Sequence, residues 1–422
     1  MTIAGRKVRA MGDHLSIDRD PAELGLDARR LERLERHFAA YVDDGRLPGW
    51  LMVVARAGQV AYLASRGMRD RESAAPVTED TIWRLASMTK PITSVAAMIL
   101  YEEGAFELKD PVSRWLPAFA DMRVYTSGSS LRPTTRPASE PIRVWHLLTH
   151  TAGLTYGFHY AHPVDAMYRA AGFEWGSPPG ADLAACCDLW AEQPLLFEPG
   201  AEWNYSVATD VLGRLVEVIS GQTLEQFFRA RILDPLGMAD TGFWVPEDRA
   251  GRLAAAYMAN PAGASAPAVA IDGSSTLRPP ASLSGGGGLS GTAGDYLRFA
   301  EMLRRGGELD GTRLLSPRTV AYMISNHLPG GADLEQFGRP LFAETTFDGV
   351  GFGLGVSVVT DPAKHKVLTS AGEYGWGGAF STFFFVAPRE ELTVLLFTQL
   401  LPSSTHPIRS QLKQLVYQAI VA

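Results

Sequence analysis

The 422-residue sequence predicts an α/β protein, with an antiparallel sheet built from both ends of the chain, flanking helices and a mostly helical lobe. Three observations lead there. Strand-like runs lie near both termini. Residues 105–245 instead carry helical segments between Pro- and Gly-rich loops. The length also suffices for a large core and two lobes. The predicted division puts residues 1–104 and 215–422 in the α/β domain and 105–214 in the helical one.

The elements follow in chain order. Residues 22–46 read as an amphipathic helix, with Leu31, Leu34, Phe38 and Tyr41 at helical spacing. Gly49 to Ala64 reads as a β-hairpin turning at Ala57-Gly58. A helix begins close to Ser87, because Pro91 lacks an N–H and is tolerated only in a first turn; it ends near Gly104. In the middle, Val144–Leu148 and Asp210–Ile219 are helical, the second ended by Gly221. Residues 259–294, rich in Ala, Pro, Gly and Ser, form a long loop of the kind that is functional or mobile. Strands return at Gly353–Val359, Phe380–Ala387 and Leu392–Gln399, with a turn at Pro388–Glu391. A last helix covers about 406–420.

Composition excludes several classes. With 46% hydrophobic and 20% charged residues the chain is ordinary for a soluble globular protein. A net charge of −7 favours neither nucleic acid nor an anionic membrane surface. No apolar run reaches the length of a membrane span, and the polar stretch Met1–Asp20 has no apolar signal core. The two cysteines, Cys186 and Cys187, are adjacent, so no structural disulfide is expected and a reducing cytoplasm is the default. Oligomeric state is left open.

The chemistry centres on Ser87-Met88-Thr89-Lys90. The pattern puts a hydroxyl and an amine on one helix face, at the head of an apolar helix. Lysine is scarce here, six in all, and this one lies in a run too apolar to be a solvated face. Desolvation favours a neutral amine, which can activate a serine within reach. A helix N-terminus also leaves the Ser87 N–H free to bind an oxyanion. The pattern alone is loose. Ser410-Gln411-Leu412-Lys413 repeats it on a polar helix expected to be exposed and without chemistry.

Two further stretches matter. Tyr205 lies on a loop before the Asp210 helix, where it is either packing or a phenol near Lys90 that serves as a general base. Gly372–Phe380 precedes an apolar strand, and its glycines mark either a turn or close backbone approach to a ligand.

Together these places resemble the serine β-lactamase and penicillin-binding-protein superfamily, closest to class C β-lactamases and family VIII carboxylesterases. The resemblance runs from about residue 25 to 420 and includes Leu108–Val112, His146–Leu154 and Pro235–Met238. It implies a class C β-lactamase-like fold and Ser87, Lys90 and Tyr205 as catalytic residues. It also implies an oxyanion hole from the backbone N–H groups of Ser87 and Ala379. Trp376-Gly377-Gly378 stands where β-lactamases carry Lys-Thr-Gly, and Val207 replaces the asparagine of Tyr-x-Asn. A tryptophan cannot hold a β-lactam carboxylate, so the resemblance favours uncharged acyl esters of short to medium chain. Trp376, Gly377 and Gly378 then line the substrate site, with Tyr156 and Phe158 on the acyl or alcohol side. Phe173 and Trp175 either join them or belong to the lobe core.

Rivals differ in chemistry or class. A Ser-His-Asp hydrolase would show Gly-x-Ser-x-Gly, which is absent. His146 and His150 stand four residues apart, but without the glutamate of a zinc motif they read as capping or core residues, as do His159 and His162. No metal or cofactor is expected, and a small-molecule ester is the expected partner. An acyltransferase, or an amide or β-lactam hydrolase, would use the same residues. A non-catalytic binding protein on this fold would not need them intact.

Overall fold

The structure, a computed structural model, describes residues 15–339 and 346–422. The first part of the Met1–Asp20 stretch, read above for a targeting signal, lies outside the described residues. Helix α1 (Ala28–Asp43) begins at Asp27, whose carboxylate accepts from the Arg30 N–H, and it buries Leu31, Leu34, Phe38 and Tyr41 as the spacing requires. Strands β1 (Gly49–Arg56) and β2 (Gln59–Asp70) form the expected hairpin, and β3 (Ala75–Pro76) follows. Helix α2 (Thr89–Glu102) is preceded by a 3₁₀ turn at Ala86–Met88 and is buried from Thr89 through Leu100.

The middle of the chain holds strands β4 (Arg123–Ser129) and β5 (Arg132–Pro137), then helices α3 (Val144–Leu148), α4 (Pro163–Ala170), α5 (Leu183–Ala191) and α6 (Ala208–Ser220). Gly221 ends α6 with φ 70°, a left-handed cap that favours glycine. The β4–β5 hairpin was not expected in a helical middle. Beyond helix α7 (Ala293–Arg304) come β6 (Val350–Phe352), β7 (Ser357–Val359), β8 (Tyr374–Gly377), β9 (Phe383–Ala387) and β10 (Leu392–Phe397), then helix α8 (Ile408–Tyr417). The single strand expected over Gly353–Val359 is instead the second half of a hairpin, because Gly355 turns the chain with φ 93°.

The sheet has eight strands in the order β6-β7-β8-β9-β10-β1-β2-β3, and every pairing is antiparallel. The C-terminal β10 pairs with the N-terminal β1, with Leu51 opposite Phe397. Both faces are covered. Trp50, Met52, Val54, Phe383 and Phe385 pack with α1 and α8, while Leu51, Val53, Phe384 and Leu395 pack with α2 and α7. Strands covered on both faces read as continuous apolar runs, which is why β1 and β10 were legible. Among the described residues no helix is long and apolar enough to cross a membrane.

Candidate active site

Ser87 sits in the 3₁₀ turn that leads into α2, half-buried, and it follows Ala86, whose φ is 45°. A non-glycine residue in the left-handed region stores strain, and such strain concentrates at functional sites. One turn on, Lys90 is 1% exposed. Its Nζ donates to Ser87 Oγ at 3.2 Å and to the Gly286 carbonyl at 2.6 Å. Nζ also lies over the Tyr205 ring, 4.5 Å from the centroid, and 5.5 Å from that of Tyr156. The three sequence-predicted catalytic residues therefore share one place.

Tyr205 is held from several sides. Its hydroxyl accepts from the Trp376 indole N–H at 3.3 Å, and its carbonyl is 2.7 Å from His159 Nε2. Beneath it His150 packs at 4.9 Å between ring centroids, with Nδ1 3.2 Å from Ser206 Oγ. Burial pushes the His150 pKa well below its ordinary value, and the Lys90 charge pushes it the same way. The floor under Tyr205 is thus a neutral imidazole.

Strand β8 brings Trp376, Gly377 and Gly378 to the same opening. A Cβ on Gly378 would overlap the Leu85 carbonyl, so only glycine lets the strand end approach the Ser87 turn this closely. Gly378 N–H donates to the Thr382 carbonyl at 2.8 Å, and Arg409 donates to the Gly378 carbonyl at 2.8 Å. These bonds fix the turn that carries Ala379.

A cavity of 130 Å³ opens beside Ser87, lined among others by Phe158, Tyr205, Trp376 and Ala379. Tyr156 stacks on Phe158 at 4.5 Å between centroids, and Phe158 on Trp175 at 5.4 Å. Trp175 is 65% exposed, so this aromatic ladder runs from the Lys90 pocket to solvent. Phe173, by contrast, is buried against Tyr168 and Trp190 in the lobe core. At the far end of the cavity Lys413 pairs with the buried Glu373. The second Ser-x-x-Lys copy is therefore less exposed than expected: Lys413 is tied in an ion pair, and Ser410 donates to the Pro407 carbonyl.

Two of the histidines cap helices. His146 Nδ1 accepts from the Arg143 N–H at the start of α3, and His162 Nδ1 accepts from Val164 N–H at the start of α4. Among the described residues no cluster of three or more His, Cys, Asp or Glu could hold a metal. Two parts of the site were missed in the sequence: the Gly286 carbonyl and the buried Asp210 behind it. The Ser284–Gly288 run lies within the long loop read over residues 259–294, and nothing in its composition names Lys90 as its partner. Asp210 looked like one polar residue of an amphipathic helix.

A Beta-lactamase family model matches residues 34–418. The chain belongs to the Beta-lactamase family. Within it, the chain is 36% identical to Esterase EstB of Burkholderia gladioli over 398 residues, which is 90% of this chain and 93% of that one. Its fold matches EstCE1, a hydrolase with promiscuous acyltransferase activity, with a TM-score of 0.76 and 30% identity. That match covers 95% of this chain and 99% of the other. Simvastatin synthase (LovD) from Aspergillus terreus superposes with a TM-score of 0.78 at 26% identity, covering 94% and 99% of the two chains.

Proposed function

We propose that this protein is a serine carboxylesterase that cleaves esters of short to medium acyl chain through an acyl-enzyme on Ser87. The observation that carries this reading is the buried Lys90 amine, 3.2 Å from Ser87 Oγ and packed on Tyr205. Ser87 Oγ attacks the ester carbonyl. The Lys90–Tyr205 pair takes the serine proton, and Tyr205 returns a proton to the leaving alkoxide. The N–H groups of Ser87 and Ala379 bind the oxyanion; losing one such donor typically costs about 3 kcal/mol of barrier. Water, activated by the same pair, then releases the acid.

Trp376 supports the esterase branch, and with it placement among family VIII carboxylesterases. Its indole packs against Phe352 and bonds the Tyr205 hydroxyl, so the third motif offers an apolar wall where a β-lactamase offers a lysine. Tyr156 and Phe158 serve as the apolar side of the substrate site. The names of EstB and EstCE1 agree with ester hydrolysis. Acyl transfer to an alcohol is the second reading, favoured by the promiscuous acyltransferase activity of EstCE1. The buried, unbridged Cys186 and Cys187 fit a cytoplasmic protein.

A fluorophosphonate probe and p-nitrophenyl esters from acetate to dodecanoate test the proposal. The expected result is a mass shift on Ser87, turnover of the shorter esters, and loss of both in Ser87→Ala with the fold intact. Absence of labelling and turnover in the wild-type protein would remove the enzyme reading. Product analysis with an added alcohol separates transfer from hydrolysis.

A further inference from the structure

The catalytic amine in the proposed mechanism does not position itself. A four-carbon side chain has many rotamers, and the 2.6 Å bond from Nζ to the Gly286 carbonyl selects the one that faces Ser87. That carbonyl belongs to Gly285-Gly286-Gly287-Gly288, a run with little intrinsic stiffness. Something outside the loop must hold it.

Asp210, on the first turns of α6, is 5% exposed. Its Oδ1 accepts from Ser284 Oγ at 2.5 Å and from the Gly286 N–H at 3.0 Å. One carboxylate oxygen thus grips the loop before the glycine run and at the residue whose carbonyl holds Lys90. The approach is close on both sides. A Cβ on Gly286 would overlap the Asp210 carboxylate, and one on Gly285 would lie 2.8 Å from the Thr209 carbonyl. From α2, Thr93 Oγ1 donates to the Gly285 carbonyl at 2.7 Å, and Thr89 Oγ1 accepts from Leu289 N–H at 3.1 Å. The loop is a strap between α2 and α6, and Asp210 is its one acidic anchor among these contacts.

We propose that Asp210 is a positioning residue for Lys90, acting through Ser284 and Gly286 to hold the glycine strap so that its carbonyl aims the amine at Ser87. The assignment rests on the Ser87–Lys90 mechanism above. Asp210 touches neither Ser87 nor the cavity beside it, so its loss changes the rate of chemistry rather than substrate binding.

The test compares Asp210→Ala, Asp210→Asn, Ser284→Ala and Gly286→Ala with wild type. Turnover of p-nitrophenyl butyrate gives kcat and KM, and thermal unfolding reports the fold. Asp210→Ala should lower kcat by about a hundredfold, the scale of a misplaced catalytic group, with KM nearly unchanged. Asp210→Asn keeps an acceptor oxygen and should recover most of the rate, which a role through charge would not allow. Gly286→Ala pushes the strap off the carboxylate and should match Asp210→Ala. Wild-type kcat in Asp210→Ala overturns the proposal, and so does an Asn variant as impaired as Ala. If Asp210→Ala fails to fold, wild-type kcat in both Ser284→Ala and Gly286→Ala overturns it. Lack of ester turnover in the wild type would instead overturn the mechanism itself, and the proposal with it.

Discussion

A methyl group at position 378 has nowhere to go, since it would overlap both the Leu85 carbonyl and Thr382 Oγ1. Neither is the free end of a flexible side chain: one is backbone, and the other is buried and donates to that same carbonyl. Gly378→Ala should therefore lift the strand end away from the Ser87 turn and carry the Ala379 N–H with it. The expected outcome is a fall in kcat of about 10² to 10³, the usual effect of removing an oxyanion donor. Steady-state turnover of p-nitrophenyl acetate measures it, and a wild-type kcat would show that the strand end is not part of the oxyanion site. The sequence left this stretch open between a turn and close backbone approach, and the structure holds both, a turn closed by the Gly378 N–H on the Thr382 carbonyl and a close approach to Leu85. Glycines flanking a tryptophan beside an apolar strand allowed backbone proximity, and the neighbour is the turn that carries Ser87.

At the scale of elements, two buried histidines tie local structure to pH. His146 opens α3 by accepting the Arg143 N–H, and burial, helped by the Arg143 charge, lowers its pKa to about 3. In His365, on the short helix Pro362–His365, burial and then the Lys413 charge lower the pKa to about 4. Both folded values lie below the unfolded value of about 6.5. The unfolded chain therefore binds protons first as the pH falls. The stability these residues contribute is full above about pH 6.5 and is lost progressively as the pH drops toward 4 and then 3. Each histidine should add a slope of up to about 1.4 kcal/mol per pH unit within that window. Urea unfolding at a series of pH values measures the slope, and His146→Gln should flatten it. An unchanged slope would mean that His146 is protonated as readily in the folded state. Elements also show where the sequence falls silent. The hairpin β4–β5 is exposed along most of its length, with Leu131 at its tip 91% exposed, so it carries no alternation of apolar residues to read. Helices α1, α2 and α6 each bury a continuous face, and each was legible. Asp210 was not, because a sequence shows that a polar residue lies on a helix but not which distant loop it faces.

The whole molecule joins residues from distant parts of the chain at one opening. Ser87 stands in the turn before α2 and Lys90 on α2, Tyr205 leads into α6, Gly286 lies on the strap, and Trp376 comes from β8. The sheet that fixes these positions closes through the pairing of β10 with β1, so the two ends of the chain form one body. A defect far from the opening should therefore act on stability and not on chemistry. Leu34 is fully buried between α1 and the sheet face opposite α2. Leu34→Ala should cost about 2 to 5 kcal/mol, the range for a buried leucine truncated in a core. Its kcat in the absence of denaturant should equal that of the wild type. Urea titration followed by near-UV circular dichroism and by ester turnover checks this. Both signals should shift to lower urea together, because the β10–β1 pairing joins the sheet under α1 to the strands that carry Trp376. If activity outlasted the circular dichroism signal, the half of the molecule carrying α2 and α6 would be folding apart from α1, and the joined sheet would not be what holds the site.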